Sequence, residues 1–267
     1  MSMLKDTFGA SKPIIGMIHL GALPGSPLYD KNGGMAKVID EAAGDIEALQ
    51  NGGIDAVMFG NENDRPYLLE ASPVTLAAFA FAVGQLKAML RLPFGVNYLW
   101  DPVATVSLAI ASGARFAREI FTGVYESDMG LWAPDAAKAV RLRTDGGRTD
   151  LKLLFNINAE FASPLGGRSI AQRARNAVFS SLADAVLVSG PMTGEAVDTA
   201  RLKEAKAAVP ETPVFANTGV TFDSVAAILD IADGAIVGTH FKVDGRTFNR
   251  VDAERVTRFM DKVRALR

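Results

Sequence analysis

Cysteine is absent from the chain, and histidine occurs only twice. Without cysteine there can be no disulfides, thiolate nucleophiles or thiolate metal ligands, which fits a protein of a reducing compartment. No run approaches the ~20 consecutive apolar residues of a membrane-spanning helix. Residues 1–12, MSMLKDTFGASK, lack the apolar segment of a secretory signal. We therefore expect a cytoplasmic protein with no integral membrane segment.

The chain lacks a large excess of either charge. It has 28 Lys and Arg and 30 Asp and Glu, which gives a net charge of −2. This balance gives no electrostatic attraction to nucleic acid or to an anionic membrane surface, and we expect neither as a partner. Oligomerisation of identical chains stays open. The 267 residues are 49% apolar, which is enough for a large core in one domain or in two.

Eight short apolar runs alternate with longer amphipathic stretches, which predicts parallel strands joined by right-handed helical crossovers. Eight units predict a single (β/α)8 barrel of the TIM type over residues 1–267. A doubly wound open sheet is the alternative, and the lack of Gly-x-Gly-x-x-Gly after the first strand weakens it. The predicted strands are residues 13–20, 55–60, 93–99, 114–121, 151–158, 184–190, 213–219 and 234–240.

Polar residues collect where these strands end, and in such barrels the carboxyl ends of the strands carry the active site. In the fifth strand, alternation places Asn156, Asn158 and Glu160 inside the barrel, whereas Leu153 and Phe155 face the helices. Three buried polar groups indicate a site. The alternative is that the amides only satisfy one another.

The fourth strand raises a similar choice, because Arg118 and Glu119 are adjacent and must point to opposite faces. We expect Arg118 inside. There it can clamp a carboxylate or phosphate, or it can form a buried ion pair with Glu62 or Glu160.

The loops after the seventh and eighth strands resemble those that hold phosphate in many barrels. Asp223 argues against an anion here, and ordinary turns are the alternative. The two histidines, His19 and His240, end neighbouring strands and are expected on one rim, as acid/base groups or metal ligands. The predicted phosphate-binding residues are Asn217, Thr218, Gly219, Gly238, Thr239 and His240.

Two further loops contribute to the predicted mouth. Residues 122–135 read as a lid, because they are long, polar and aromatic. In residues 60–73, Glu62 and Asp64 lie close together, although Asp64 could instead cap a helix starting at Arg65.

A set of motifs, in order along nearly the whole chain, resembles the BtpA/SgcQ family: GMIHLGALPGSP, NENDRPY, GVNYL, SDMGL, ASPLGGRS, VLVSGPMTGE and ADGAIVGTHFKVDG. The resemblance implies a barrel near the ribulose-phosphate-binding group. One class of members is associated with photosystem I biogenesis, and others occur beside carbohydrate genes. It also implies site roles for His19, Glu62, Asp64, Asn97, Arg118 and Asp128. Departures at Ile120, 160–165 and 217–219 suggest a divergent substrate.

Two hypotheses follow. The first is an enzyme acting on a small phosphorylated, sugar-like metabolite by acid/base isomerisation or aldol-type cleavage. No lysine ends a strand, which disfavours a Schiff base. Mg²⁺ or Mn²⁺ could assist on Glu62, Asp64, Asp128 or Glu160. The full set of candidate catalytic residues is His19, Glu62, Asp64, Asn97, Arg118, Asp128, Asn158 and Glu160.

The second hypothesis is a non-enzymatic assembly or scaffold factor of the photosystem I type. Its support is the basic, amphipathic stretch 255–267, which could lie on an anionic surface. The alternative is that Val256, Phe259, Val263 and Leu266 pack as the eighth helix of the barrel.

Overall fold

Eight parallel strands close into a barrel in the computed structural model, which describes residues 3–267. Closure runs through β1 and β11, with Ile14 opposite Ala235. The barrel prediction is therefore confirmed, and each predicted strand contains an observed one. The barrel strands are β1 (Ile14–His19), β2 (Ala56–Gly60), β3 (Phe94–Asn97), β4 (Phe116–Glu119), β7 (Lys152–Asn156), β9 (Ala185–Val188), β10 (Val214–Ala216) and β11 (Gly234–Val237).

One helix follows each barrel strand and covers the outside of the sheet. Local signals fix their ends: Asp101 caps α4 ahead of a proline, and Gly113 ends it in the left-handed conformation at φ 75°. The helices are α2 (Gly34–Asn51), α3 (Pro73–Leu86), α4 (Pro102–Ser112), α5 (Ala136–Asp145), α6 (Ile170–Phe179), α7 (Thr199–Ala208), α8 (Val225–Leu229) and α9 (Ala253–Arg264).

The core has two layers, one between sheet and helices and one inside the barrel. In β7, Leu153 and Phe155 belong to the outer layer, whereas Leu154 belongs to the inner layer. The predicted register of this strand is therefore confirmed. In β4, Phe116 lies in the inner layer, so Arg118, two residues later, points the same way.

The N-terminal end of the barrel is closed by α1 (Met3–Phe8), for which the sequence analysis predicted no element. The ring of Phe8 lies 5.1 Å from that of Phe116 and 5.9 Å from that of Phe215. Since Leu4 also joins the inner layer, this short helix acts as a plug for the interior.

The predicted lid is an ordered hairpin beside the mouth. Strands β5 (Tyr125–Ser127) and β6 (Gly130–Trp132) pair antiparallel, and β8 (Ala162–Pro164) adds a third strand. Trp132 packs edge-on against Trp100 at 4.8 Å between ring centroids. The hairpin thus supports the aromatic wall of the mouth instead of covering it.

The C-terminal helix α9 is the eighth helix of the barrel. Val256, Phe259 and Val263 are fully buried, whereas Leu266 is 39% exposed. The alternative stated for this stretch, packing as the eighth helix, is therefore confirmed for the three buried residues, whereas Leu266 is partly exposed. Within residues 3–267, no helix combines the length and apolar character needed to cross a membrane.

We predict that Phe8→Ala lowers the free energy of unfolding by ~3–5 kcal/mol, because it empties the plug position among aromatic rings. Urea denaturation followed by circular dichroism measures this change. Phe179→Ala is the matched control, since Phe179 is 89% exposed and should change stability by less than ~0.5 kcal/mol. Equal effects of both substitutions would contradict the plug.

Candidate functional site

A cavity of about 70 Å³ lies at the carboxyl ends of the barrel strands. Its apolar wall includes Tyr67, Trp100 and Phe161, and its floor includes Met17 and Ile236. The predicted site residues that line it are His19, Glu62, Arg118, Glu160, Asn217, Thr218, Gly219, Gly238 and Thr239.

Arg118 is the central charge of the cavity. Its Nη1 donates to Asn97 Oδ1 at 2.5 Å, and its Nη2 lies 3.5 Å from Glu160 Oε1. The buried ion pair considered above is therefore present. The Nε–H of Arg118 is also buried, and it has no partner in the described part of the chain, so the side chain keeps one donor for a ligand.

Glu119 also lines the cavity, although strand alternation assigned it to the outer face. Its carboxylate accepts from Asn97 Nδ2 and from the backbone N–H of Ile120. Burial, only partly offset by the charge of Arg118, raises the pKa of Glu119 to about 7. The sequence does show an acidic residue at the end of this strand, but strand alternation by itself assigned its side chain to the outer face.

Glu160 extends this network across the mouth. Thr193 Oγ1 donates to its Oε2 at 2.9 Å, and Asn217 Nδ2 donates to its Oε1 at 3.2 Å. Burial raises its pKa, although the charge of Arg118 opposes the shift. Asn156 donates to the hydroxyl of Ser189 at 2.8 Å. The hydrogen-bonding needs of this amide are therefore met by another polar side chain, as in the alternative stated for this strand.

His19 and Glu62 form a pair on the opposite side of the cavity. Nδ1 of His19 lies 3.2 Å from the carbonyl oxygen of Thr247. A carbonyl only accepts, so the neutral ring carries its proton on Nδ1. The lone pair of Nε2 then faces Glu62 Oε1 at 3.7 Å. Burial lowers the pKa of His19, and the charge of Glu62 partly offsets this.

The rim formed after β10 and β11 offers backbone donors. Gly219 and Thr239 line the cavity, and within residues 3–267 their amide N–H groups donate to no protein acceptor. Gly219 has φ +62°, and a Cβ there would lie 2.1 Å from the carbonyl oxygen of Glu195. Only glycine fits this position. Asp223, the residue that argued against an anion here, does not line the cavity.

Three residues that line the cavity each carry a buried polar atom without a partner in the chain described here. These atoms are Glu62 Oε2 and Asn217 Oδ1, both acceptors, and the Nε–H donor of Arg118. Leaving such groups unpaired costs roughly 1–3 kcal/mol each. A ligand that supplies one acceptor and two donors would satisfy all three.

Asp64 and Asn158 were predicted in the site, but they lie outside the cavity and bond to backbone. Asp64 accepts from the N–H of Leu23 at 2.8 Å and holds the loop after β1. It caps no helix, because Ser72 is the N-cap of α3. Asn158 Nδ2 donates to the carbonyl of Ser189 at 2.9 Å, and its Oδ1 accepts from the N–H of Ser189.

His240 and Asp128 also lie away from the cavity. After β11 the chain turns into a short 3₁₀ helix, Thr239–Phe241, which points His240 toward α9. Its Nε2 accepts from the N–H of Phe222 at 3.2 Å. The two histidines therefore do not face each other. Asp128 is exposed in the turn between β5 and β6 and borders a separate cleft.

The four carboxylates considered as metal ligands do not meet. Glu62 and Glu160 line the cavity, whereas Asp64 and Asp128 do not. Over residues 3–267, no group of three or more histidine, aspartate or glutamate side chains is placed to hold a metal ion. The residues present therefore do not fit the Mg²⁺ or Mn²⁺ site considered from the sequence.

We predict that Glu119 makes stability depend on pH. Its pKa of about 7 lies above the ordinary 4.5, so between these values the folded protein binds more protons than the unfolded chain. Stability contributed by Glu119 is full below pH 4.5 and is lost as the pH rises to about 7. Relative to Glu119→Gln, the wild type should lose ~3 kcal/mol of unfolding free energy over this interval.

Urea denaturation at several pH values measures this difference. Glu211→Gln, at an exposed position before β10, serves as the control and should follow the wild-type profile. Parallel profiles for Glu119→Gln and wild type would contradict the shifted pKa.

Comparison with known proteins identifies relatives over the whole chain. The chain is 50% identical over 267 residues to the putative sgc region protein SgcQ of Escherichia coli K12, covering 100% of both chains. It is 31% identical over 262 residues to the photosystem I biogenesis protein BtpA of Synechocystis, covering 97% of this chain and 90% of that one.

Solved structures with a similar fold share little sequence. Phosphoribosyl anthranilate isomerase from Thermus thermophilus matches with a TM-score of 0.59 at 13% identity, covering 96% and 100% of the two chains. A native KDPGal structure matches with a TM-score of 0.57 at 18% identity, covering 96% and 97%. These likenesses support the barrel. A model of the BtpA family matches residues 10–265, and the chain therefore belongs to the BtpA family.

Proposed function

We propose that this protein is an enzyme that acts on a small phosphorylated, sugar-like metabolite by acid/base chemistry, either isomerisation or aldol-type cleavage. The observation that carries the proposal is that three residues lining one cavity, Glu62, Arg118 and Asn217, each carry a buried polar atom without a partner among the described residues. Polar groups that are buried only to stabilise the fold normally have hydrogen-bond partners, so three unpaired groups around one cavity indicate a ligand.

The unpaired atoms specify the polar pattern of the ligand. Arg118 Nε–H needs an acceptor, whereas Glu62 Oε2 and Asn217 Oδ1 need donors. A carbonyl flanked by hydroxyl groups supplies one acceptor and two donors. Polyhydroxy carbonyl compounds, that is, sugars, have this pattern.

The proton-transfer groups stand beside these binding atoms. Nε2 of His19 carries a lone pair and faces the cavity, so it can take a proton from the carbon next to the carbonyl. The electron pair of that C–H bond forms the C=C bond of an enolate, the π pair of the carbonyl moves to its oxygen, and the charge of Arg118 stabilises the negative oxygen. Reprotonation at the former carbonyl carbon, with transfer of the neighbouring hydroxyl proton to the enolate oxygen, gives isomerisation. In aldol cleavage the base instead takes the proton of the β-hydroxyl group, the C–C bond breaks to release one carbonyl fragment, and the remaining enolate is protonated at carbon.

The rim after β10 and β11 suits a phosphate group. The unused amides of Gly219 and Thr239 are donors for phosphate oxygens, as in other backbone anion sites. Typical small-molecule sites hold ~300 Å³ or more, and the cavity of about 70 Å³ is smaller. A sugar phosphate therefore enters only when the loop carrying Thr193 and Gly194 moves outward.

An assembly role is the second candidate, and it rests on the name of the Synechocystis relative alone. The apolar face of α9 that favoured it is packed against the barrel, with Val256 and Phe259 fully buried. We therefore place the enzyme first.

We predict that the wild-type protein exchanges a carbon-bound hydrogen of its substrate for deuterium in ²H₂O. Isomerisation removes that hydrogen, and the enolate released by aldol cleavage takes up a solvent proton at carbon, so both reactions place deuterium on carbon in ²H₂O. Proton NMR of a panel of aldose and ketose phosphates detects it. His19→Gln should abolish exchange, with a change in unfolding free energy below ~1–2 kcal/mol, because the ring makes one hydrogen bond.

The chain supplies matched controls for this experiment. His240→Gln removes the other histidine, and Asp128→Asn removes a predicted site residue that lies outside the cavity; both should retain exchange. Full exchange by His19→Gln would remove His19 from the chemistry. Loss of exchange in all three variants would point to a structural effect.

We predict that inorganic phosphate binds at the rim and that Thr239→Val weakens binding by about tenfold, because the hydroxyl donor is lost. Isothermal calorimetry measures the affinity. Thr257→Val, on the exposed side of α9, is the control and should bind as wild type. Unchanged affinity in Thr239→Val would contradict the site. Gly238 is a poorer probe, because a Cβ there would lie 3.1 Å from the ring of His19.

A further inference from the structure

Asp45 is a buried carboxylate on α2 that no part of the proposed chemistry uses. Its side chain is 5% exposed and accepts from Lys242 Nζ at 2.8 Å and from Arg250 Nε at 2.9 Å. The backbone N–H of Val251 is a third donor, at 2.9 Å. Burial by itself would raise the pKa of Asp45, but the charge of Lys242 and these hydrogen bonds lower it. Asp45 is therefore an anion held by donors from one segment.

Those donors stand at the two ends of one surface loop, residues 242–251, which we call the strap. Lys242 and Val251 also form an antiparallel bridge, and the N–H of Val243 donates to the carbonyl of Arg250 at 2.9 Å. Asp45 thus joins the two ends of the strap through these hydrogen bonds. Most strap residues beyond Lys242 are exposed or half-buried, so burial of the strap itself contributes little to its placement.

The strap contacts the candidate site through Thr247, by its backbone carbonyl and by its hydroxyl. The carbonyl oxygen accepts from Nδ1 of His19 at 3.2 Å, and the hydroxyl of Thr247 lies 3.0 Å from that of Thr239 on the rim. The tautomer of His19 therefore depends on where the strap holds this carbonyl. With the proton fixed on Nδ1, the lone pair of Nε2 is fixed toward the cavity.

We propose that Asp45 is a positioning residue for His19. By joining the two ends of the strap it holds the Thr247 carbonyl against Nδ1, and so presents Nε2 to the cavity as a proton acceptor. The charged groups around His19 are Glu62 from the loop after β2, Lys242 from the strap and Asp45 from α2, and all three influence its pKa. Asp45 acts through the strap and does not line the cavity.

The test is the tautomer of His19, read from long-range ¹H–¹⁵N correlation spectra of the full-length, ¹⁵N-labelled protein. Only His19 and His240 contribute, and the His240→Gln variant assigns the two rings. We expect wild-type His19 to show protonated Nδ1 and unprotonated Nε2 when neutral. In Asp45→Asn the single tautomer should give way to a mixture, while the resonances of His240 stay unchanged.

Asp184→Asn is the matched control, because Asp184, like Asp45, accepts hydrogen bonds from an arginine side chain and from a backbone N–H. It accepts from Arg143 Nη1 at 2.8 Å and from the N–H of Leu153 at 2.9 Å, at the opposite end of the barrel. This variant should leave His19 in its single tautomer even if it loses stability. The same tautomer mixture in Asp184→Asn would show a general loosening and would overturn the proposal.

If Asp45→Asn does not fold, Arg250→Gln carries the test, because it removes one of the three donors from a side chain that is 45% exposed. A partial shift toward the tautomer mixture is expected. An unchanged His19 spectrum in a folded Asp45→Asn, or in Arg250→Gln when Asp45→Asn does not fold, overturns the proposal. Since the measurement needs no substrate, its outcome is separate from that of the proposed enzyme activity.

Discussion

Hydrogen bonding between β1 and β11 is the constraint on which the candidate site depends. Closure places Gly16 beside Val237, so His19 at the end of β1 meets Gly238, Thr239 and the strap that follows β11. Without that pairing, the histidine would have neither its backbone acceptor nor its place beside the rim. The same closure brings α2 next to α9, and Asp45 of α2 can then hold the strap.

The barrel was predictable from the sequence because eight apolar runs with regular spacing leave few other folds. Side-chain direction within strands was also predictable for Arg118 and Glu160, because alternation continues to the strand end. Alternation did not account for Glu119, which lines the cavity and whose carboxylate accepts from Asn97. It failed for His240 as well, because β11 ends at Val237 and the chain turns before residue 240.

Other differences come from backbone partners that no sequence pattern reveals. Asp64 and Asn158 have the residue types of a site, yet each bonds to backbone of another loop, at Leu23 and Ser189, and Asp64 also accepts from the side chain of Asn61. Whether a polar side chain serves the ligand or a loop depends on which orphan N–H groups tertiary packing brings near it. The plug helix α1 was missed for a similar reason, since six residues carry too little periodicity to indicate a helix.

In the proposed enzyme, the two sides of the cavity have different roles, one holding charge and the other transferring protons. On one side Arg118 is neutralised by Glu160 and fixed by Asn97, which in turn is fixed by Glu119, so its guanidinium cannot turn to satisfy Nε by itself. On the other side, Nε2 of His19 lies 3.7 Å from the carboxylate of Glu62 and keeps its lone pair, because the ring proton is on Nδ1. A ligand carbonyl held by Arg118 would therefore lie across the cavity from an unprotonated nitrogen. This is the electrostatic condition that enolisation requires.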